Sequence, residues 1–254
     1  LALQGQVRAE SKEPDSVHQT STAVTLVDRL CQDILLLQAY EIAPCLAVYS
    51  EELDACPAEI LRLFPPEHRY VLILDPLDGT DEYLSGGRAY AHMLGILDQH
   101  SGRMACGMIY FPADGTLYVG VQGMGAFRCQ GPWAPLHPVL PASPPRTLAR
   151  TKRLHESDIT ALRGIGWETV ALEGASVHEL VRVAEGRVGA AVMRQFHGHD
   201  TAMAAALLES SGGAVLDDRG EPLRYDRRMA RLPLVILSSS SVYAREIATA
   251  LAPR

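Results

Sequence analysis

Val71-Leu72-Ile73-Leu74-Asp75-Pro76-Leu77-Asp78-Gly79-Thr80 decides how the chain is read. Four consecutive apolar residues predict a short strand buried on both faces, ending at the carboxylate of Asp75. Proline fixes its own φ and has no N–H, so the Asp75–Asp78 turn is stiff. Asp75, Asp78 and the carbonyl of Leu77 can then converge on one point. An all-oxygen donor set on rigid backbone suits Mg²⁺, which demands near-octahedral oxygen coordination. Gly79 lets backbone approach closely, and Thr80 can open a helix whose N–H groups face a phosphate. The same residue types also build ordinary surface turns. Their position after an apolar strand favours a site, because ligands gather at strand C-termini in α/β layers.

Upstream, a helix beginning near Thr25 carries Asp28 in its first turn, where the helix dipole favours a carboxylate. Its apolar residues Val24, Leu26, Val27, Leu30, Ile34, Leu35 and Leu37 fall at mostly helical spacing. Glu51 and Glu52 follow another short apolar stretch; alone they read as solvated charge, or as one metal ligand beside one backbone acceptor. Downstream, Met93–Leu97, Ala105–Tyr110, Thr116–Val121 and Ala126–Arg128 alternate with glycine turns and predict an antiparallel meander. Six prolines in the fifteen residues 131–145 mark a boundary. The predicted organisation is therefore an α+β metal- and phosphate-binding layer over 1–130, a Pro-rich connection over 131–147, and an α/β substrate layer over 148–254. In that last part, helices over 156–163, 174–185, 200–210 and 241–251 alternate with strands over 189–193, 214–216 and 234–237.

The chain has 254 residues, 47% hydrophobic, enough for one large core or two modest ones. A net charge of −7 with no basic run argues against a nucleic acid polymer as partner. No apolar run reaches the roughly 18 to 20 residues of a membrane span. Five cysteines without a CxxC pair predict reduced thiols and a cytoplasmic protein. Leu1–Val7 reads like the tail of a helix, so the natural N-terminus is expected to lie upstream.

Together, Glu51-Glu52, Asp75-Pro-Leu-Asp-Gly-Thr80 and Asp200-Thr-Ala-Met-Ala resemble, in order and spacing, the lithium-sensitive, Mg²⁺-dependent phosphatases related to inositol monophosphatase. Within them the chain looks closest to the bacterial 3′(2′),5′-bisphosphate nucleotidases. Lys12, Val24–Asp28, Gly123–Phe127, Val183–Gly186 and Glu209–Gly213 support the likeness. The resemblance implies a layered α/β/α/β/α fold of the inositol monophosphatase and fructose-1,6-bisphosphatase type. It implies one Mg²⁺ held by Glu51, Asp75 and the Leu77 carbonyl and a second held by Asp75, Asp78 and Asp200; two or three ions in all are expected, with Mn²⁺ a possible substitute. It also pairs Thr80 with Asp28 to orient the attacking water, and places Glu51 among the catalytic groups. Substrate contacts would come from Gly79, Thr80, Ser176 in the Gly174-Ala175-Ser176 turn, Arg153 and His178.

Departures from the family pattern bear on substrate. His199 stands where the family has Trp, and read bare, Asp200 is the N-cap of an alanine-rich helix. His197 and His199 offer imidazoles that would favour a softer metal than Mg²⁺. His178 replaces a lysine common in the nucleotidases, with Arg153, in Lys152-Arg153-Leu154-His155, as a compensating cation. The expected partner is a small phosphorylated substrate of the 3′-phosphoadenosine 5′-phosphate type, with inositol monophosphate or a related sugar or amino-alcohol phosphate as alternatives. A metal- or phosphate-binding protein without catalysis and a homodimer are further possibilities.

Overall fold

The computed structural model describes residues 4, 10–11, 23–131, 133–140, 143–151, 153–171 and 175–252. Lys12, Lys152 and Gly174, used above, lie outside the described residues. Strands β1 (Glu10–Ser11) and β2 (Ala23–Val24) pair briefly before helix α1 (Leu26–Ile42). Thr25 caps that helix: its side chain accepts from the N–H of Val27 at 3.1 Å, and Asp28 accepts from the N–H of Thr25 at 2.8 Å. A reciprocal cap of this kind contributes about 1 kcal/mol, and it fixes the Asp28 carboxylate.

Strand β3 (Ala47–Ser50), short helix α2 (Ala58–Leu61), β4 (Tyr70–Asp78) and short helix α3 (Thr80–Leu84) come next. The meander is β5 (Ala91–Asp98), β6 (Arg103–Phe111), β7 (Thr116–Val121), β8 (Gly125–Gln130) and β9 (His137–Pro138). Strands β3 to β9 form one seven-stranded sheet in chain order, with only β3 and β4 parallel. Then follow β10 (Thr147–Arg150), α4 (Glu156–Gly164), β11 (Glu168–Val170), α5 (Ser176–Ala184), β12 (Ala190–His197), α6 (His199–Ser210), β13 (Ala214–Leu216), β14 (Arg231–Ser238) and α7 (Ser241–Leu251). Their strands make a five-stranded mixed sheet of order β11-β10-β12-β14-β13.

Strand alternation sorts side chains into layers. Leu72 and Leu74 of β4 pack with Leu36 of α1 on the outer face of the first sheet. Val71 and Ile73 face inward to a core shared with Leu180 of α5, Met203 and Leu207 of α6, and Ala191, Met193, Val235 and Leu237 of the second sheet. The far face of that sheet, Leu148, Val192 and Ile236, is covered by Ile159 of α4 and Ile247 of α7. The result is the expected α/β/α/β/α sandwich. Among the described residues, no helix is long and apolar enough to cross a membrane.

Helix α6 lies unusually close to the first sheet. Gly95 pairs with Gly107, and Gly107 with Gly120, so three glycines line up across β5, β6 and β7. A Cβ on Gly120 would stand 2.5 Å from the Cα of Leu207, and one on Gly107 would stand 2.8 Å from the Cβ of Ala206. Glycines on the sheet and alanines on the helix allow this approach. They set the depth at which α6 delivers its first turn to the site.

Candidate active site

Strand β4 does not stop at Asp75, as the sequence predicts, but runs to Asp78 with a bulge. Asp75 pairs with Met93 and Asp78 with Ala91, so three steps on β4 face two on β5. Pro76 offers no N–H to continue the ladder, and a bulge is how a strand accommodates that. Inside the bulge the N–H of Leu77 donates to Asp75 Oδ1 at 3.1 Å. His92 Nδ1 donates to the carbonyl of Pro76. Gly79 follows in the left-handed region at φ 84°, where a Cβ would also strike the Cβ of Ala175 at 2.8 Å.

Three further segments meet this bulge. The N–H of Glu51, just beyond β3, donates to the carbonyl of Leu74 at 3.0 Å, and the Glu51 side chain hydrogen-bonds Asp75. From α1, Asp28 accepts from Thr80 Oγ1 at 3.1 Å; the same hydroxyl lies 3.2 Å from the Leu77 carbonyl. From the second half, α6 brings in Asp200. Its helix is capped by Gly198, so Asp200 is the second helical residue rather than the N-cap the sequence suggests. Its carboxylate accepts instead from the N–H of His197 at 2.8 Å. One carboxylate oxygen from each of Asp75, Asp78 and Asp200 lies within 4.8 Å of the others.

That crowding has an electrostatic signature. Burial, then Glu51, Asp78 and Asp200, push the Asp75 carboxyl well above the usual carboxylate range. Burial and Asp200 push Asp78 up to about 7, against a hydrogen bond from the N–H of Val177. Burial likewise raises Asp200 and Asp28. Anionic oxygens converging in a poorly solvated cleft fit a hard divalent cation, which relieves their repulsion and wants only oxygen ligands. The imidazoles are partly engaged elsewhere: Tyr49 Oη lies 2.9 Å from His199 Nδ1, and Arg231 Nη2 donates to His197 Nε2 at 3.0 Å.

The expected substrate contacts divide. Ser176 opens α5, one residue before the N–H that reaches Asp78. Arg153 lies close enough to Asp200 to be influenced by its charge. His178 is not brought to the carboxylates: its ring meets Phe111 edge-on, 5.8 Å between centroids, and it lines a cavity with Arg88, Asp114, Arg182 and Arg187. His92, Tyr49 and Arg231 were not picked out from the sequence, because single residues on strands carry no motif.

The fold and site agree with what comparison with known proteins finds. The inositol monophosphatase family matches this chain over residues 2–253. The chain belongs to that family. It is therefore a phosphoric monoester hydrolase of a metal-dependent family acting on small phosphorylated substrates, with magnesium dependence typical. Human inositol monophosphatase 2 is 29% identical over 264 aligned residues, covering 99% of this chain and 88% of the human protein. A 3′(2′),5′-bisphosphate nucleotidase CysQ from Aggregatibacter actinomycetemcomitans is 24% identical, covering 83% of this chain and 77% of its own length. Among solved structures, a staphylococcal inositol monophosphatase-1 in a lithium-soaked inhibitory complex superposes with a TM-score of 0.73 at 19% identity, covering 98% of this chain and 87% of that one. The relatives thus span both substrate groups considered above.

Proposed function

We propose that this chain is a Mg²⁺-dependent phosphatase releasing phosphate from 3′-phosphoadenosine 5′-phosphate-type nucleotides. The observation that carries the chemistry is the convergence of Asp75, Asp78 and Asp200 beside the Thr80–Asp28 pair. Asp75, Asp78 and Asp200, with Glu51 and the Leu77 carbonyl, are the groups that would hold the cations. Divalent cations bound there would neutralise phosphoryl oxygens and lower the pKa of a coordinated water.

The protein's own groups supply orientation. Thr80 Oγ1 donates its proton to Asp28, which leaves its lone pairs to accept from the attacking water. Asp28 is 2% exposed and also held by Thr25, so the pair keeps one geometry. Gly79 and the first turn of α5 at Ser176 flank the space a phosphate would take. The nucleotide, with two phosphates, is favoured over a singly phosphorylated sugar by the cationic groups beside Asp200, namely Arg153 and Arg231. The inositol phosphate reading rests on the nearly full-length likeness to the human protein. Its free cysteines suit a reducing, cytoplasmic setting.

The test is phosphate release with Mg²⁺, with and without EDTA, from 3′-phosphoadenosine 5′-phosphate, inositol 1-phosphate, histidinol phosphate and fructose 1,6-bisphosphate. EDTA-sensitive preference for the nucleotide is expected. Preference for inositol 1-phosphate would move the chain to the other substrate group, and release from none would overturn the hydrolase reading.

A further inference from the structure

Strand β5 meets the β4 bulge with a side chain where the ladder is interrupted. Met93 and Ala91 are the β5 partners of Asp75 and Asp78, and neither Pro76 nor Leu77 makes a ladder pair. His92 stands between those two partners. Met93 belongs to the inner core, so its strand neighbour His92 lies on the opposite face, where Leu94 and Ile96 pack with Leu36 of α1. There its ring lies 6.4 Å from that of Tyr110, with 21° between their planes. Burial pushes the His92 imidazole below its usual pKa, so the ring is neutral at pH 7 and its single proton is the one on Nδ1.

Buried backbone polar groups need partners, and each such group of Pro76 and Leu77 has one. Pro76 has no N–H to satisfy. Its carbonyl accepts from His92 Nδ1, the N–H of Leu77 donates to Asp75 Oδ1 at 3.1 Å, and the Leu77 carbonyl lies 3.2 Å from Thr80 Oγ1. The Pro76 carbonyl and the Leu77 N–H are the two ends of one rigid peptide plane. Its oxygen is held by the imidazole from β5 and its hydrogen by the Asp75 carboxylate, so the plane cannot swing while both contacts last. Without the imidazole only the Asp75 end remains. The plane can then rotate, and both the Asp75 carboxylate and the Leu77 carbonyl lose their fixed orientation.

We infer that His92 is a positioning residue for the cation site: its Nδ1–H pins the Pro76–Leu77 peptide, and through that peptide the Asp75 carboxylate and the Leu77 carbonyl. The role rests on the Mg²⁺ reading above and adds to it a donor from the neighbouring strand, seventeen positions beyond Asp75. Groups that orient metal ligands from behind change metal affinity by about 10- to 100-fold when they are lost.

The experiment follows Tm in EDTA and across a Mg²⁺ series for wild type, His92→Phe and His92→Asn. Phenylalanine keeps a ring against Tyr110 and removes the donor, whereas asparagine puts an amide N–H where Nδ1 stands. The apparent Mg²⁺ dissociation constant is expected to rise about tenfold or more in His92→Phe, and to return to within about threefold of wild type in His92→Asn. An affinity within about threefold of wild type in His92→Phe, or an equal loss in both variants, would overturn the role of His92 alone. A wild-type Tm indifferent to Mg²⁺ would overturn the cation site itself, and the role of His92 with it. Imidazole ¹H–¹⁵N spectra of the metal-free wild type, assigned against His92→Asn, read the contact without metal and without the phenylalanine variant. A slowly exchanging Nδ1–H is expected for His92, and a ring protonated on Nε2 alone would overturn the contact.

Discussion

Thr80 and Asp28 are fifty-two positions apart and meet at 3.1 Å, where neither has any need of the other for packing. Asp28 is already satisfied by Thr25, whose N–H and hydroxyl both donate to it. The Thr80 contact therefore serves the threonine, fixing which way its proton points. Thr80→Ala removes the hydroxyl and leaves the cap and the carboxylates untouched. We expect kcat to fall about 10²- to 10⁴-fold, the range for a lost proton-transfer group, with Mg²⁺ binding preserved. Asp28→Asn keeps the shape but weakens the acceptor, and kcat should fall with it. Steady-state kinetics with a Mg²⁺ titration decide this: equal losses in metal affinity and kcat would make the pair a support for the ligands rather than for water.

Among the elements, α6 shows how much rests on spacing alone. Gly120→Ala would push a methyl into Leu207 Cα at 2.5 Å and Ala206 O at 2.6 Å, both backbone atoms of a buried helix. Overpacking of that kind costs about 1–3 kcal/mol. Because Asp200 rides on the same helix, urea stability and Mg²⁺ affinity should fall together; loss of stability alone would uncouple the glycine row from the site. A second element-scale prediction concerns the β5–β6 turn, where Arg69 makes two 2.9 Å hydrogen bonds to Asp98. Those bonds hold the Asp98 carboxyl below its usual range. Its contribution is thus present above the unfolded-state value of roughly 4 and lost as pH falls through the folded one. Thermal unfolding of Asp98→Asn should lie below wild type at pH 7, the gap closing below about pH 4; a pH-independent gap would assign the effect to packing. The meander and α7 were legible because alternation, turns and helical period repeat over many residues. Strands β10 and β11 were not, being three or four residues long beside prolines and glycines. The glycine row was equally hidden, since only strand register aligns Gly95, Gly107 and Gly120. The Asp75–Thr80 motif announced the centre, but Asp200 was visible only through the family pattern. Arg231 came into view only when β14 paired with β12.

For the molecule as a whole, the site joins parts of the chain that the sheets alone hold apart. Asp75 and Asp78 belong to the first sheet, whereas Asp200 enters on the helix between the two sheets. In the metal-free protein burial, and then the neighbouring carboxylates across that junction, raise Asp75 and Asp78 above the usual carboxylate range. A cation held among them, as proposed, would link the layers and bind only the folded chain, because the unfolded chain does not bring the three together. Mg²⁺ at a hundred times its dissociation constant then stabilises by about 2.7 kcal/mol per site. At roughly 2–4 °C per kcal/mol for a chain of this size, Tm should rise by about 5–10 °C over the EDTA-treated protein. Asp75→Asn removes a buried, crowded carboxylate that is also a proposed ligand. Its metal-free form should therefore melt at or above wild type, while its Mg²⁺ response and its turnover are lost, kcat by more than about a hundredfold. Differential scanning calorimetry across a Mg²⁺ series reads both effects. A variant that melts well below wild type in EDTA would show Asp75 to be a packing residue of β4, and an undiminished Mg²⁺ response would place the cation elsewhere.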